Sequence, residues 1–386
     1  MNEIAIILTI SLIIFSSPFV AKVLRLPTSV VEIILGTLCG AWGLLTHTAL
    51  FELVAEFGFL YLMFLAGLEV DLKKIFAIDR TILKRGVLYI ALLYILSFTI
   101  TKSFEFSDVF IAIFPLISVG LIAALRKNYG KNHSWLTLSI AIGSLGEVVS
   151  IAVLTVLSAA LEFGVGSDFA RSIFILLLFL LMISFIFKVL QVVFWWNPEL
   201  KTTLMPKIDN EEQDIRLSMA LLFTFIAIML YLHLEVAFGA FIAGIIIATF
   251  FEHKRSLPHK LEAFGFGFLV PIFFIFTGSS FKIEALFIEG MISSALLIAA
   301  LMIFIRIAAS FAFIKILSFK ERILFALSHS MPLTLLVAIA TIAFHTRVID
   351  EFDYMAFILA SILEVIVVMV LIKLIVKFSG RSAAAQ

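Results

Sequence analysis

The chain has 386 residues, 63% of them hydrophobic and 14% charged, with a mean hydropathy of +1.19. That balance excludes an ordinary soluble domain and describes an all-α polytopic membrane protein. A formal net charge of +1 and the lack of a basic run exclude a nucleic-acid partner, and the single cysteine, Cys39, excludes an intrachain disulfide or a thiolate metal centre.

A crossing takes about 20 apolar residues. Run length, turn residues and charge place thirteen spans at about 3–22, 28–46, 51–70, 86–102, 108–126, 134–161, 170–195, 215–233, 236–252, 260–281, 285–314, 321–345 and 351–378. The first follows Met-Asn-Glu without a basic leader, so it reads as a retained helix rather than a cleaved signal. With the N-terminus outside, strict alternation puts clusters such as Lys22 with Arg25, Lys73 with Lys74, Lys127 with Lys131, Lys201 with Lys207 and Lys254 with Arg255 on the cytoplasmic side. Only Lys102, Arg171, Lys282 and Arg347 fall on the other. One missed or invented span would scramble that asymmetry. The C-terminus is then cytoplasmic, RSAAAQ reads as a tail, and a prokaryotic inner membrane is the expected setting. Glu69 and Asp71 border the inner surface near Lys73 and Lys74, where interfacial ion pairing accounts for them.

The sixth span, SWLTLSIAIGSLGEVVSIAVLTVLSAALE, carries a carboxylate, Glu147, near its middle. An ionisable group at that depth is costly and marks a functional site, and Gly143, Ser144 and Gly146 leave room for something small to approach. Lys188 lies toward the cytoplasmic end of the seventh span and Lys373 toward that of the last, where their stems can reach the headgroups. Arg306, in LMIFIRIAASF, is deeper and is expected to partner a carboxylate or exposed carbonyls. Asn197 to Asp214 reads as a cytoplasmic linker. The chain thus divides into a first six-helix repeat (1–161), a linker helix and loop (162–214), a second six-helix repeat (215–378) and a tail (379–386).

Weak self-similarity supports that division. Glu32, Gly36 and Gly40 in EIILGTLCG match Glu235, Gly239 and Ala243 in EVAFGAFIA, and Gly67 matches Gly278. Pro115 and Pro332 fall in the fifth span of each half, and Glu147 and Glu364 in the sixth, each pair separated by the same interval. Halves that enter from opposite sides form an inverted repeat, a transporter architecture. A proline inside a span removes an amide donor and clashes with the preceding turn, so both fifth helices are expected to be interrupted and to cross near the midplane. Arg306 would then supply charge to carbonyl ends, and Glu147 would balance amide ends or hold a cation.

FLYLMFLAGLEVDLKK, with EIILGTLCG, GAFIAGIII and VPIFFIFTGSSF, resembles the monovalent cation:proton antiporters, particularly their second branch, over essentially the whole chain. The resemblance implies a dimerisation domain, and hence a homodimer, beside a six-helix core with two crossed, unwound helices. It also implies exchange of sodium, lithium or potassium for protons by an elevator-like movement, a role in pH homeostasis, and no cofactor besides the transported ions. The family's ion-site pair falls on Gly146-Glu147, so only the second carboxylate is present, and as Glu. The basic residue of the eleventh helix falls on Arg306, where electrogenic members have Lys. Ser118 lies in LISVG at the first break, and Ser328, His329, Ser330 and Thr334 surround the second at Pro332.

Glu147 is therefore expected to be protonated or to bind a cation, in one-for-one, electroneutral exchange. Glu364 either faces Glu147 across the pseudo-twofold or hydrogen-bonds between helices. His329 is either a sensor titrating near neutral pH or a neutral imidazole capping exposed carbonyls. The main alternative is the membrane domain of a ligand-regulated potassium efflux system or channel; relatives of that type append a nucleotide-binding domain, and none follows Phe378. A sodium-coupled solute carrier is disfavoured by the few polar residues at the breaks. An embedded hydrolase lacks its motifs, so the chain is not expected to be an enzyme.

Overall fold

The computed structural model describes residues 3–24, 26–70, 79–119, 121–122, 125–126, 133–163, 166–206, 211–251, 254, 256–345 and 347–383. Asp71, Lys73 and Lys74, the basic loop residues Arg25, Lys127, Lys131, Lys207 and Arg255, and the side chains of Thr334 and Lys201 lie outside them.

The chain opens with α1 (Glu3–Leu24), α2 (Thr28–Ala41) and α3 (Ala49–Glu69). Then come α4 (Arg80–Ser103), the single-turn α5 (Val109–Ile113), α6 (Ser134–Phe163) and α7 (Ser167–Trp196). The expected linker loop contains a short helix, α8 (Pro198–Leu204), because Pro198 suits a first helical turn. Next are α9 (Gln213–Leu232), α10 (Val236–Phe250) and α11 (Leu257–Phe264), which passes through a π-helical turn at Gly265–Leu269 into α12 (Val270–Ser280). The chain ends with α13 (Met291–Ala309), α14 (Phe319–His329), α15 (Leu333–His345) and α16 (Glu351–Ala383).

Starts of several helices are capped by side chains. Asp79 accepts from the backbone of Thr81 at 2.8 Å and Ile82 at 3.4 Å, and these amides hold its carboxyl below the ordinary value of 3.8. Ser318 and Glu321 form a reciprocal capping box at α14.

Among the described residues, nine helical stretches are long and apolar enough to cross a membrane, and α2 and α10 are shorter apolar helices. The expected spans at 108–126 and 321–345 are the interrupted ones. After α5 the backbone leaves helical geometry through Ser118, and Ser330–Pro332 separates α14 from α15.

The residues group into two compact units, Met1–Lys73 with Ser158–Ser280, and Lys74–Leu157 with Phe281–Gln386. Each draws on both halves of the sequence. In the first unit glycines bring helices together: a Cβ at Gly36 would collide with the Ile275 carbonyl, and one at Gly278 with that of Ile33. Thr37 Oγ, on the same face of α2, donates to the Gly278 carbonyl at 2.9 Å. Gly67 and Gly244 make the equivalent approach between α3 and α10, against the carbonyls of Phe241 and Phe64. Lipid offers helices no hydrophobic reward for associating, so such close packing supplies the attraction. The second unit holds α4, α5, most of α6 and α13 to α16. At one end Lys282 meets Glu351 at 2.6 Å, and that carboxylate raises the lysine above its ordinary 10.5.

Candidate functional site

The site is built on one face of α6. Ser139, Gly143, Gly146, Glu147 and Ser150 follow helical spacing and form a stripe. Glu147 is 1% exposed. Its Oε1 accepts from Ser118 Oγ at 3.2 Å and from the Val119 amide at 3.4 Å. One turn on, Ser150 Oγ accepts from the Ile117 amide at 3.1 Å. The amides that the first break frees at 117 and 119 are thus met by side chains of α6 rather than left bare, which would be costly at this depth. Gly146 permits the approach: a Cβ there would lie 2.5 Å from Ile117 Cδ1 and 3.2 Å from its Cβ.

Arg306 is fully buried, and it joins the two breaks. Its Nη2 donates to the Leu116 carbonyl at 2.5 Å, beside Pro115 in the first break. Its Nε donates to the His329 carbonyl at 2.8 Å, at the end of α14, and its Nη1 to Met302 at 2.7 Å. A guanidinium's five donors in a rigid fork can serve three carbonyls at once, and positive charge is favourable at a helix C-terminus. Glu364, also fully buried, places Oε1 3.8 Å from Arg306 Nη1; neither of its carboxylate oxygens has a hydrogen bond among the described residues. It stands beside the arginine as a second buried charge, without a hydrogen bond between helices among the described residues.

At the second break, Ser330 Oγ donates to the Ala326 carbonyl at 3.0 Å, and the Pro332 carbonyl accepts the Leu336 amide at 2.8 Å, which starts α15. His329 turns its imidazole toward α6. Its Nε2 lies 2.9 Å from the Ser139 carbonyl and its Nδ1 3.1 Å from the Tyr89 hydroxyl. A carbonyl can only accept, so Nε2 donates to it; in the neutral ring Nδ1 is then the acceptor for the Tyr89 hydroxyl. Ser328 Oγ donates to Ser139 Oγ at 2.8 Å.

Contacts therefore run in a closed circuit: α6 to the first break through Glu147 and Ser150, the first break to the second through Arg306, and the second back to α6 through Ser139. The residues absent from the sequence-based list are Ser139, Ser150 and Tyr89. The two serines share the face of Glu147 and were open to detection by helical spacing; a lone tyrosine in an apolar span carries no such signal.

Comparison with known proteins identifies this architecture. A chain from Methanocaldococcus jannaschii described as "Probable Na(+)/H(+) antiporter 3" is 27% identical over 321 residues, 80% of this chain and 79% of that one. A second, from Alkalihalophilus pseudofirmus, is described as "Ammonium/H(+) antiporter subunit AmhT"; it is 26% identical over 306 residues, 76% of this chain and 73% of that one. The solved structure of the sodium proton antiporter MjNhaP1 from M. jannaschii superimposes with a TM-score of 0.70 at 17% identity, covering 98% of this chain and 99% of the other, so the fold is shared. The family described as "Sodium/hydrogen exchanger, transmembrane" matches residues 7–378, and the chain belongs to it: this is a monovalent cation/proton antiporter, an integral membrane transporter and not an enzyme.

Proposed function

We propose that the protein exchanges sodium, lithium, potassium or another monovalent cation for a proton, one for one, with Glu147 as the carboxylate that the two ions share. The observation that carries this is the placement of Glu147: buried, aimed at the first break, with a hydroxyl and an amide donating to one of its oxygens. Ionised, it offers an oxygen ligand beside Ser118 Oγ to a dehydrated cation; protonated, it is neutral. The two occupancies exclude each other, and this exclusion couples the fluxes. Charge balance favours unit stoichiometry. Glu364 stands within ion-pair distance of the Arg306 guanidinium, which leaves Glu147 as the carboxylate to take up a proton or a cation.

The same proposal takes the two interrupted helices as the crossed pair of an inverted repeat, within thirteen crossings running from an outside N-terminus to a cytoplasmic C-terminus in a prokaryotic inner membrane. Supporting it are the matched prolines, the charge asymmetry of the loops, and two compact units that each draw on both halves. Separate units are what an elevator movement requires. Assembly as a homodimer rests on the resemblance.

Vesicles containing the purified protein and a pH-sensitive dye test the proposal, with sodium, lithium, potassium and ammonium added in turn. Ammonium is included because of the activity named for the A. pseudofirmus relative. The expected result is proton movement with at least one cation and no accompanying current. A current, or a strong response to an imposed potential, would defeat the one-for-one assignment. No proton movement with any cation would favour a potassium efflux or channel activity.

A further inference from the structure

We propose that Tyr89 and His329 form a positioning device for the ion site, a neutral hydrogen-bonded bridge that holds α6, and with it Glu147, in register against the second break. The bridge runs from the Tyr89 hydroxyl on α4 to His329 Nδ1, and from His329 Nε2 to the Ser139 carbonyl on α6. Ser139 lies two helical turns from Glu147 on the same face. Between them Gly143 lets the first break segment approach α6: a Cβ there would sit 3.1 Å from Ile122 Cδ1 and 3.3 Å from Val119 Cγ2, and in ordinary contact with His329 Nε2 at 3.5 Å. His329 therefore spaces α6 from the second break, while Gly143 admits the first beside the same stretch of helix.

The imidazole is boxed by rings, Phe325 edge-on at 4.4 Å and Tyr89 at 5.5 Å between centroids, so it has little freedom to re-aim. Tyr89 is itself pinned. It is fully buried, packs edge-on to Phe325, and lies one turn from Arg85, whose Nη1 donates to the Ala312 carbonyl at 2.8 Å. The charged group facing this bridge is Arg306, whose Nε holds His329's own carbonyl. Tyr89 and Arg306 are separated along the chain by the same interval as Pro115 and Pro332, and as Glu147 and Glu364. Corresponding positions on α4 and α13 thus both reach His329, Arg306 through its backbone and Tyr89 through its ring.

This inference rests on Glu147 being the ion site, and the test separates the two: loss of transport in Glu147→Gln bears only on that assignment. Cation-dependent proton movement is measured in vesicles for His329→Leu, His329→Gln and Tyr89→Phe of the full chain. The apparent KM for the cation is expected to rise about tenfold in His329→Leu and less in Tyr89→Phe, with kcat less affected, because a displaced carboxylate weakens binding. His329→Gln is expected to recover most of the loss, since its amide nitrogen can donate to Ser139 while its oxygen accepts from Tyr89. If His329→Leu fails to fold, Tyr89→Phe carries the test. Unchanged KM in Tyr89→Phe, a fall in kcat alone, or equal damage from Gln and Leu would overturn the proposal. So would a pH response that is lost in His329→Gln, which would make His329 a titrating sensor.

Discussion

Arg306 Nε donates to the His329 carbonyl at 2.8 Å, so the last turn of α14 ends on a fully buried cation instead of on water. The same guanidinium holds the Leu116 carbonyl at the other break, which makes one side chain the link between the two irregular segments. Replacing it removes a charge, a fork and the packing of both breaks together. Arg306→Met is predicted to destabilise the protein by about 3–5 kcal/mol, the usual cost of stripping one member from a buried charged network. Arg306→Lys should recover only part, because a point charge cannot reach three carbonyls in fixed geometry. Thermal unfolding in detergent checks both; a lysine variant as stable as wild type would contradict the role given to the fork.

Gly146 precedes Glu147 on α6, and Ile117 fills the space a side chain would need. Gly146→Asp is therefore predicted to lower transport rather than to add a second ion-binding acid, with overpacking costing about 1–3 kcal/mol. Trimming the neighbour in Gly146→Asp with Ile117→Ala should relieve the loss. Equal activity of the single and double variants would show that the contact does not limit the site.

Ser150, one turn from Glu147 on α6, receives the Ile117 amide of the first break. Ser150→Ala should leave that amide without its partner and cost about 1–3 kcal/mol. Ser150→Thr retains the hydroxyl and should cost less. Denaturation midpoints of the two variants make the comparison, and identical values would assign the effect to packing alone.

In the first unit Gly67 and Gly267 offer a matched contrast. A Cβ at Gly67 meets the backbone of Phe241, whereas one at Gly267 meets nothing within 4 Å. Gly67→Ala should destabilise by about 1–3 kcal/mol, and Gly267→Ala should be neutral or stabilising by up to about 1 kcal/mol. Melting temperatures in the opposite order would argue against the close α3–α10 packing.

Away from the membrane-spanning segments, Asp79 supplies a pH signature. The Thr81 and Ile82 amides hold its folded-state value below 3.8, so its contribution to stability is present above 3.8 and is lost as pH falls through the lower folded value. The stability difference between wild type and Asp79→Asn should be constant near neutrality and shrink in acid. A difference that grew on acidification would have the wrong sign.

How far the sequence reveals this arrangement depends on the kind of residue. Glu147 and Arg306 are visible because charge inside an apolar run has few structural excuses, and Pro332 announces the interruption that separates α14 from α15. What escapes is set by geometry between segments. Nothing local marks Tyr89 as the partner of His329, 240 positions away in sequence. The π-helical turn at Gly265–Leu269, where Gly265 lies against Tyr61 and Leu65, is not encoded by a helical hydrophobic pattern. The short helix Pro198–Leu204 was hidden by polar composition, since length and hydropathy locate membrane spans and are silent on solvated helices. Glu364 was legible as a buried acid, but its position beside Arg306 depends on how α13 and α16 pack.

Exchange in vesicles by Glu147→Gln, compared with wild type at matched protein content and thermal stability, tests the central claim most directly. Glutamine keeps the shape and can still receive the Ser118 hydroxyl, but it neither carries the proton nor offers charge to a cation. Loss of cation-driven proton movement in a folded protein is the predicted result; exchange at the wild-type rate would contradict it and move the ion site away from Glu147.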